Sequence, residues 1–449
     1  MNIEYYGIKP SQRLYILILG LSTILAIDIV VDNKLSQSTI LLTLIFIGLL
    51  IGSRSIVSFS KHFIERLIVK REFLDPLVEN RDLRVRLTIV NNTRFFFPRI
   101  EIMDKYPGVF KLVRGSHVLK TILLPRSSLS YIYVVRTIIG YHVFGPLEII
   151  VSDPFKLFNY KVEVNTGEST VCIKPNPKPI SSRLIRLWTQ SGLGLGKTRI
   201  KGFGQEFFYL REYVAGDEYR FIDWKSYART GKLYIKLFER EANLSIVFVI
   251  DATKNSLRSI IGETPYEYMA RVVAGLSSVL LNRGDWINVI VRSTTNLRSG
   301  YGRGRRHYYR ILDTLSKVAW NPQESNISIG DLLLIEACRI PRRTKTMFLV
   351  LITSIDDYEL KKLIDAYNKL KSIGHIVYII QLLPELFEMK ILRGLDAGLY
   401  YGLISNEIDK SRLIRKELLK HGLNSITTGP HDLLESIYLL IEKHRLVSS

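Results

Sequence analysis

Two apolar runs separated by a short polar stretch constrain this chain more than any other feature. Residues 14–31 read LYILILGLSTILAIDIVV and residues 39–52 read TILLTLIFIGLLIG. Each run is close to the ~20 apolar residues that a membrane-spanning helix needs, and both are apolar on every face. We predict two antiparallel spans joined by a tight turn, with Asp28 near the outer end of the first. A signal peptide and a buried helical pair of a soluble protein are the alternatives.

Positive charge on the flanks predicts the orientation of this hairpin. Lys9 and Arg13 precede the first run, and the turn holds only Lys34. Five basic residues follow the second run: Arg54, Lys61, Arg66, Lys70 and Arg71. Because basic flanks stay on the cytoplasmic side, we expect a two-span protein of the cell membrane with both termini and all soluble domains in the cytoplasm.

Composition narrows the class of protein. The 449 residues carry 63 Lys and Arg against 42 Asp and Glu, a net charge of +21. Two cysteines exclude a disulfide framework, and the eight histidines show no zinc-binding spacing. The positive excess leaves nucleic acid, an anionic membrane face or an acidic protein as partners.

Residues 1–60 are assigned to the hairpin and residues 61–180 to an antiparallel β-sandwich. Leu83, Val85, Leu87 and Ile89 alternate with polar residues, which is typical of a half-buried strand. Similar short runs follow, separated by Pro, Gly and Asn turn signals, which favours a sandwich. No catalytic constellation stands out here, and we interpret this domain as a binding or spacer module.

Residues 181–242 are predicted to form a basic linker followed by a segment dense in charges and aromatics. Residues 191–198, SGLGLGKT, come close to a phosphate-binding loop. Ser191 replaces the first glycine, and neither the preceding strand nor the following helix is present, so we assign no nucleotide. The flexible basic stretch suits anionic lipid heads or an acidic partner.

Residues 203–242 read FGQEFFYLREYVAGDEYRFIDWKSYARTGKLYIKLFEREA. Charges of both signs alternate with aromatics, which favours a rigid network of ion pairs and hydrogen bonds in which Asp223 and Arg229 are buried and paired. A nuclease-like magnesium site around Asp217, Asp223 and Lys225 is the alternative, because carboxylates beside a lysine suit phosphodiester chemistry.

The string E-F-x-x-L-R-E-Y-x-x-G-D-x-x-R-x-I-D-W-K-x-x-A-R-T-x-K-L closely resembles the signature of domain-of-unknown-function family fifty-eight. The stretches GYHVFGP at 140–146 and DPFKLF at 153–158 resemble the β domain of that family. The resemblance implies a membrane-tethered protein with a von Willebrand factor A-like domain, no assigned reaction, and a MoxR-type AAA+ ATPase as partner. The signature residues are Glu206, Arg211, Glu212, Tyr213, Gly216, Asp217, Arg220, Asp223, Trp224, Lys225, Arg229, Thr230 and Lys232.

Residues 243–449 are predicted to form a doubly wound α/β domain. Residues 244–250, LSIVFVI, read as a buried parallel strand ending in Asp251, and helical and strand patterns alternate after it. Ligands of such sheets bind beyond the carboxyl ends of the strands, so Asp251 is placed at a candidate site.

The family resemblance implies a metal-ion-dependent adhesion site at this edge, built from D-x-S-x-S and later loops. Asp251, Thr253 and Asn255 stand at the matching spacing, but Ser354 stands where the family has an aspartate. We therefore expect a degenerate site that holds Mg²⁺ weakly and through water. The alternative is a structural role for Asp251, such as capping the helix that follows.

These features together indicate a cytoplasm-facing, membrane-anchored scaffold that binds and positions protein partners without catalysis. A membrane-tethered nucleic-acid-binding protein is one alternative, since the stretch 299–310, SGYGRGRRHYYR, sets arginines beside aromatics. A metal-dependent phosphodiesterase is the other.

Overall fold

A computed structural model describes residues 3–5, 7–32, 36–164, 166, 169–177, 200–202, 206–214, 217–240, 243–257, 263–320, 327–341, 344–383, 395–429 and 432–447. The chain divides into two compact units, Met1–Ile173 and Lys174–Ser449. The finer domain boundaries given above stay predictions.

Two long helices, α1 (Gln12–Asp32) and α2 (Gln37–Ile64), form the hairpin of the first unit. In the most apolar window of each helix only 6% and 11% of the residues are buried in the protein. A core helix of a soluble protein buries most of its length, so this exposure favours membrane spans, as does the helices' length. Asp28 accepts hydrogen bonds from the Ser36 amide and the Thr39 hydroxyl, both at 2.7 Å, and so connects the two helices at the turn.

The helix α2 continues well beyond the predicted end of the second span at residue 52. It has 28 residues, which corresponds to about 42 Å against a hydrocarbon core of about 30 Å. Ser53, Val57, Ser60 and Ile64 are buried along one side of its second half. Val57 and Ile64 belong to the core of the β domain. The basic residues after 53 end the apolar run, but they do not interrupt the helix.

The β domain contains strands β1 (Ile3–Tyr5) to β12 (Thr170–Ile173) in antiparallel sheets that share one core. One sheet has the order β1-β11-β10-β5-β7, in which β2 also pairs with β11, and the other has the order β3-β4-β8-β6. A two-stranded sheet pairs β9 with β12. The intermediate strands are β2 (Lys9–Pro10), β3 (Leu67–Phe73), β4 (Asp82–Asn91), β5 (Phe97–Asp104), β6 (Lys111–Arg114), β7 (Val118–Leu123), β8 (Ser127–Arg136), β9 (Gly140–Val143), β10 (Leu147–Ser152) and β11 (Phe158–Val164).

A buried ion pair crosses the core of this sandwich. The Arg71 guanidinium on β3 lies 2.5 Å from a carboxylate oxygen of Asp104 on β5, and both side chains are fully buried. Tyr133 on β8 donates to the other oxygen at 2.6 Å, and Arg71 also donates to the Gly145 carbonyl at 2.9 Å. A buried pair of this kind is tolerated because its remaining donors and acceptors are also satisfied.

The second unit contains a small antiparallel sheet in the order β13-β15-β14. Its strands are β13 (Ile200–Gly202), β14 (Glu206–Glu212) and β15 (Tyr234–Arg240). A single 3₁₀ turn and a short helix, α3 (Trp224–Thr230), lie between β14 and β15. This sheet was not predicted as a separate element.

The rest of the second unit is an α/β domain built on a six-stranded sheet in the order β18-β17-β16-β19-β20-β21. All neighbours pair in parallel except β18 with β17. The strands are β16 (Ser245–Asp251), β17 (Trp286–Arg292), β18 (Leu297–Arg298), β19 (Thr346–Ile352), β20 (Ile376–Leu382) and β21 (Asn424–Thr428). The central strands β16 and β19 are buried along their whole length.

The described residues of this domain form seven further helices: α4 (Lys254–Leu257), α5 (Pro265–Asn282), α6 (Gly304–Ser316), α7 (Ile329–Ala337), α8 (Asp357–Ile373), α9 (Leu395–Lys420) and α10 (Leu433–Val447). One core cluster joins β16 and β19 to α7, α8 and α9. Contacts of α5 and α6 with β16 and β17, and of α10 with α5, cover the sheet elsewhere. The predicted fold class of a helical hairpin, an antiparallel β-sandwich and a doubly wound α/β domain is confirmed.

Candidate functional site

A crevice of about 480 Å³ opens at the carboxyl edge of the α/β sheet. Asp251 ends β16 and Arg292 ends β17, and the two residues are neighbours in the parallel register. The loop after β19 and the first turn of α8 complete the lining with Ser354, Asp356 and Glu359. Parallel strands bring these loops to one edge, so the fold places Asp251 where sequence reasoning expected it.

Asp251 is 2% exposed and its carboxylate is surrounded by donors. The Thr253 hydroxyl donates to Oδ2 at 2.8 Å, and the Ser256 hydroxyl donates to the same oxygen at 3.4 Å. A guanidinium nitrogen of Arg292 lies 3.4 Å from Oδ1. Burial raises the pKa of the Asp251 carboxyl, and the Arg292 charge together with these hydrogen bonds opposes the rise.

Arg292 connects Asp251 to a second buried acid, Glu359 on α8. Its other terminal nitrogen lies 2.5 Å from Glu359 Oε1, and its Nε donates to the Ile327 carbonyl at 2.8 Å. Glu359 Oε2 accepts from the Ile329 amide at 3.0 Å, and burial raises the pKa of this carboxyl. Sequence reasoning missed both Arg292 and Glu359. A charged residue ending a buried strand was the available signal for Arg292.

Asn255, the third predicted ligand, faces away from Asp251. The Asn255 amide donates to the Ser354 hydroxyl at 2.7 Å, which joins the loops after β16 and β19. Asp356 accepts from the Glu359 amide at 2.7 Å and caps α8. The structure thus brings Asp251 and Thr253 together and directs Asn255 toward Ser354.

The surroundings of Asp251 disfavour direct binding of a divalent cation to its carboxylate. Two hydroxyl groups donate to this carboxylate, and a positive guanidinium stands beside it. Within the residues that the structure describes, no three His, Cys, Asp or Glu side chains cluster in a way that could hold a metal. The magnesium assignment to Asp251, Thr253 and Asn255 stays a prediction.

The signature segment folds around two ion pairs. Arg211 at the end of β14 lies 2.5 Å from Asp217, whose second oxygen accepts from the Val214 amide at 3.0 Å. These bonds lower the pKa of the Asp217 carboxyl. The ring of Tyr213 stacks on that of Tyr219 with 6.1 Å between centroids. Gly216 and the side chain of Glu206 lie outside the described residues, as do residues 181–199 with the SGLGLGKT stretch.

Asp223 holds α3 against β15. Its carboxylate accepts from the Ser226 hydroxyl at 2.7 Å and lies 3.1 Å from the Lys236 ammonium. The Ser226 hydrogen bond, followed by Lys236, lowers the pKa of this carboxyl. Asp223 pairs with Lys236, whereas Asp217 pairs with Arg211. Nothing in the described part of the segment therefore supports a magnesium site shared by these two carboxylates. Two exposed pairs, Glu212 with Lys232 and Arg220 with Glu218, complete the network.

Arg229 departs from the sequence expectation, because it is exposed rather than buried and paired. The helix α3 has seven residues and buries none of them. Trp224 is 61% exposed and Tyr227 is 45% exposed, with their rings edge to face at 6.3 Å. Lys225 and Arg229 form no ion pair with any residue in the described part of the chain. We call Trp224, Lys225, Tyr227 and Arg229 the α3 surface; Thr230 donates back to the Ser226 carbonyl beside it.

A protein-family model matches this region of the chain. Residues 209–382 match the family described as "Protein of unknown function DUF58". This region of the chain is therefore similar to that family. The match begins on β14, includes the α3 surface and extends through β20, so the matched region contains the signature segment from residue 209 onward and the crevice.

Several solved structures resemble the chain at low identity. An aerotolerance-related membrane protein from Bacteroides fragilis is 13% identical, with 31% of this chain and 67% of that chain covered and a TM-score of 0.27. The conserved hypothetical protein BatB from Bacteroides thetaiotaomicron is 11% identical, with the same coverage and TM-score. The SpRpn10 VWA domain is 14% identical, with 44% of this chain and 94% of that chain covered and a TM-score of 0.30. No curated protein matches the chain.

Proposed function

We propose that this protein is a membrane-anchored scaffold that binds a protein partner through the α3 surface. The observation that carries the proposal is the exposure of Trp224 and Tyr227 beside Lys225 and Arg229. Trp, Tyr and Arg are the residues most enriched at interface hot spots, and large exposed aromatics gain most from being covered. The two cations favour a partner with an acidic patch, because opposite charges guide association.

The segment around the α3 surface supports binding rather than catalysis. Its carboxylates are held by their own cations: Asp217 by Arg211, Asp223 by Lys236 and Glu212 by Lys232. These pairs fix the turn and the short helix on the small sheet. A docking surface requires such a fixed frame, since a preformed surface loses less conformational entropy on binding.

The partner we propose is a MoxR-type AAA+ ATPase, which the family resemblance implies. An ATP-consuming partner requires the soluble domains to lie in the cytoplasm. The basic residues that flank the hairpin support that orientation, because positive flanks are retained on the cytoplasmic side.

The test is quantitative co-purification of the full-length protein from cross-linked native membranes. We expect the wild-type chain to retain a MoxR-type ATPase, and Trp224→Ala and Tyr227→Ala each to lose at least about tenfold, the effect of removing a hot-spot side chain. Tyr309→Ala is the matched control, because Tyr309 is 48% exposed on a different helix, α6.

Three results would contradict the proposal. Equal recovery of the ATPase with all variants would exclude the α3 surface as its docking site. Quenching of Trp224 fluorescence by brominated lipids would assign that surface to the bilayer instead. Retention of DNA that falls steeply with salt and depends on Lys225 and Arg229 would favour the nucleic-acid alternative.

A further inference from the structure

We propose that Arg292 supplies, as a permanent part of the chain, the positive charge that a divalent cation would supply at this sheet edge, so that the crevice works without a metal. This inference goes beyond the proposed function, which concerns the α3 surface, and it does not depend on it.

The position of Arg292 is fixed from three directions. One terminal nitrogen lies 3.4 Å from Asp251, the other lies 2.5 Å from Glu359, and Nε donates to the Ile327 carbonyl at 2.8 Å. Arg292 is 9% exposed, and its backbone belongs to β17 in register with Asp251. The guanidinium therefore stands between two carboxylates that come from β16 and α8.

Two buried carboxylates favour a positive charge at this point. Asp251 is 2% exposed and Glu359 is 7% exposed, and buried carboxylates are costly without a countercharge. A guanidinium and a divalent cation are alternative solutions to this problem. They exclude each other, because two positive charges a few ångströms apart repel strongly in a buried site.

The Asp251 carboxylate already takes part in protein hydrogen bonds. Thr253 and Ser256 both donate to Asp251 Oδ2, so protein hydrogens already engage this oxygen. The Asn255 amide faces Ser354, and Asp356 accepts from the Glu359 amide at the start of α8. A hard cation such as Mg²⁺ demands several oxygen ligands in near-ideal geometry, whereas the Asp251 carboxylate at this edge already faces two hydroxyl donors and a guanidinium.

Ser354 stands where the family resemblance implies a metal-binding aspartate. Arg292 supplies the positive charge that the metal ion would have carried. A partner that approaches the crevice would meet a fixed arrangement of charges that chelators and changes in divalent concentration leave intact.

The experiment measures Mn²⁺ binding by electron paramagnetic resonance, and thermal unfolding, on the full chain in lipid nanodiscs. We expect the wild type to bind Mn²⁺ no tighter than about millimolar and to unfold identically with Mn²⁺ and with EDTA. Arg292→Ala should unfold at lower temperature and regain stability with Mn²⁺, with an affinity at least about 100-fold above wild type once the like charge is removed. Arg292→Ala/Glu359→Gln, which also removes one carboxylate, should lose part of that gain.

The control is Arg292→Lys, which keeps the charge and should remain indifferent to Mn²⁺. Micromolar Mn²⁺ binding by the wild type that Asp251→Asn abolishes would overturn the proposal. So would an Arg292→Ala chain that folds and still ignores Mn²⁺. If Arg292→Ala does not fold by itself, added Mn²⁺ must restore its folding, and failure to do so counts against the proposal as well.

Discussion

His142 on β9 is a buried imidazole in the core of the β domain. It is 3% exposed, its Nε2 lies 2.9 Å from the Ile138 carbonyl, and its ring packs edge to face on Phe110 at 4.7 Å. Burial lowers the pKa of His142 from 6.5 to about 4. Between these values the unfolded chain binds a proton that the folded chain does not.

Stability of the β domain should therefore fall as the pH drops from about 6.5 to about 4. At 1.36 kcal/mol per pKa unit, His142 accounts for a loss of about 3 kcal/mol over this window. Denaturant unfolding of the full chain at a series of pH values measures it. His142→Phe should flatten the curve, whereas His421→Gln, at an exposed site on a different unit, should leave its slope unchanged. An unchanged slope in His142→Phe would refute this prediction.

Single residues also show which contacts could be predicted from the sequence and which could not. The spacing of Asp251 and Thr253 predicted their proximity, because both follow the same buried strand. Arg292 and Glu359 are 67 positions apart along the chain and meet only through the register of β17 and the docking of α8. Arg229 shows the opposite case, since a short helix of seven residues cannot bury every charge that a dense pattern contains.

The helix α2 connects the hairpin to the β domain as one element. Val57 on its second half is fully buried in the β core, and Ser58 beside it is exposed. Val57→Asp should destabilise the β domain by about 3 kcal/mol or more, because it buries an unpaired carboxylate. Ser58→Asp adds the same charge one residue later and should have little effect.

Thermal unfolding followed by limited proteolysis of the full chain in nanodiscs measures both variants. The hairpin should stay inserted in each, so the changed cleavage should lie within residues 67–173. Equal melting temperatures for the two variants would mean that the second half of α2 does not stabilise the domain.

Periodicity predicts elements well wherever one face is buried. The alternation on β4, the unbroken apolar run of β16 and the alternating helices and strands after it all have their expected structures. The extension of α2 was not predicted, because its buried face contains Ser53 and Ser60 and shows no apolar stripe. The strand β21 and the helix α7 were also missed. They have five and nine residues, and such short elements contain too few positions to show a clear periodicity.

The orientation of the protein in the membrane is a property of the whole molecule, and cysteine labelling tests it. Cys338 is exposed at the end of α7, and Ser38 is exposed at the start of α2. In a Cys172→Ser chain, a membrane-impermeant maleimide should label Cys338 only after the cells are permeabilised. In a chain without native cysteines, Ser38→Cys should react in intact cells, because the turn of the hairpin is expected outside. Labelling of Cys338 in intact cells would reverse the proposed topology.

The continuous helix α2 makes the β domain mechanically part of the hairpin. A jointed connection would let the domain rotate freely, whereas a helix that is shared between lipid and core has no hinge at the bilayer surface. Spans adapt to a thinner bilayer by tilting. We expect such a tilt to swing the whole β domain with it, so that bilayer thickness sets the angle at which this domain faces its surroundings.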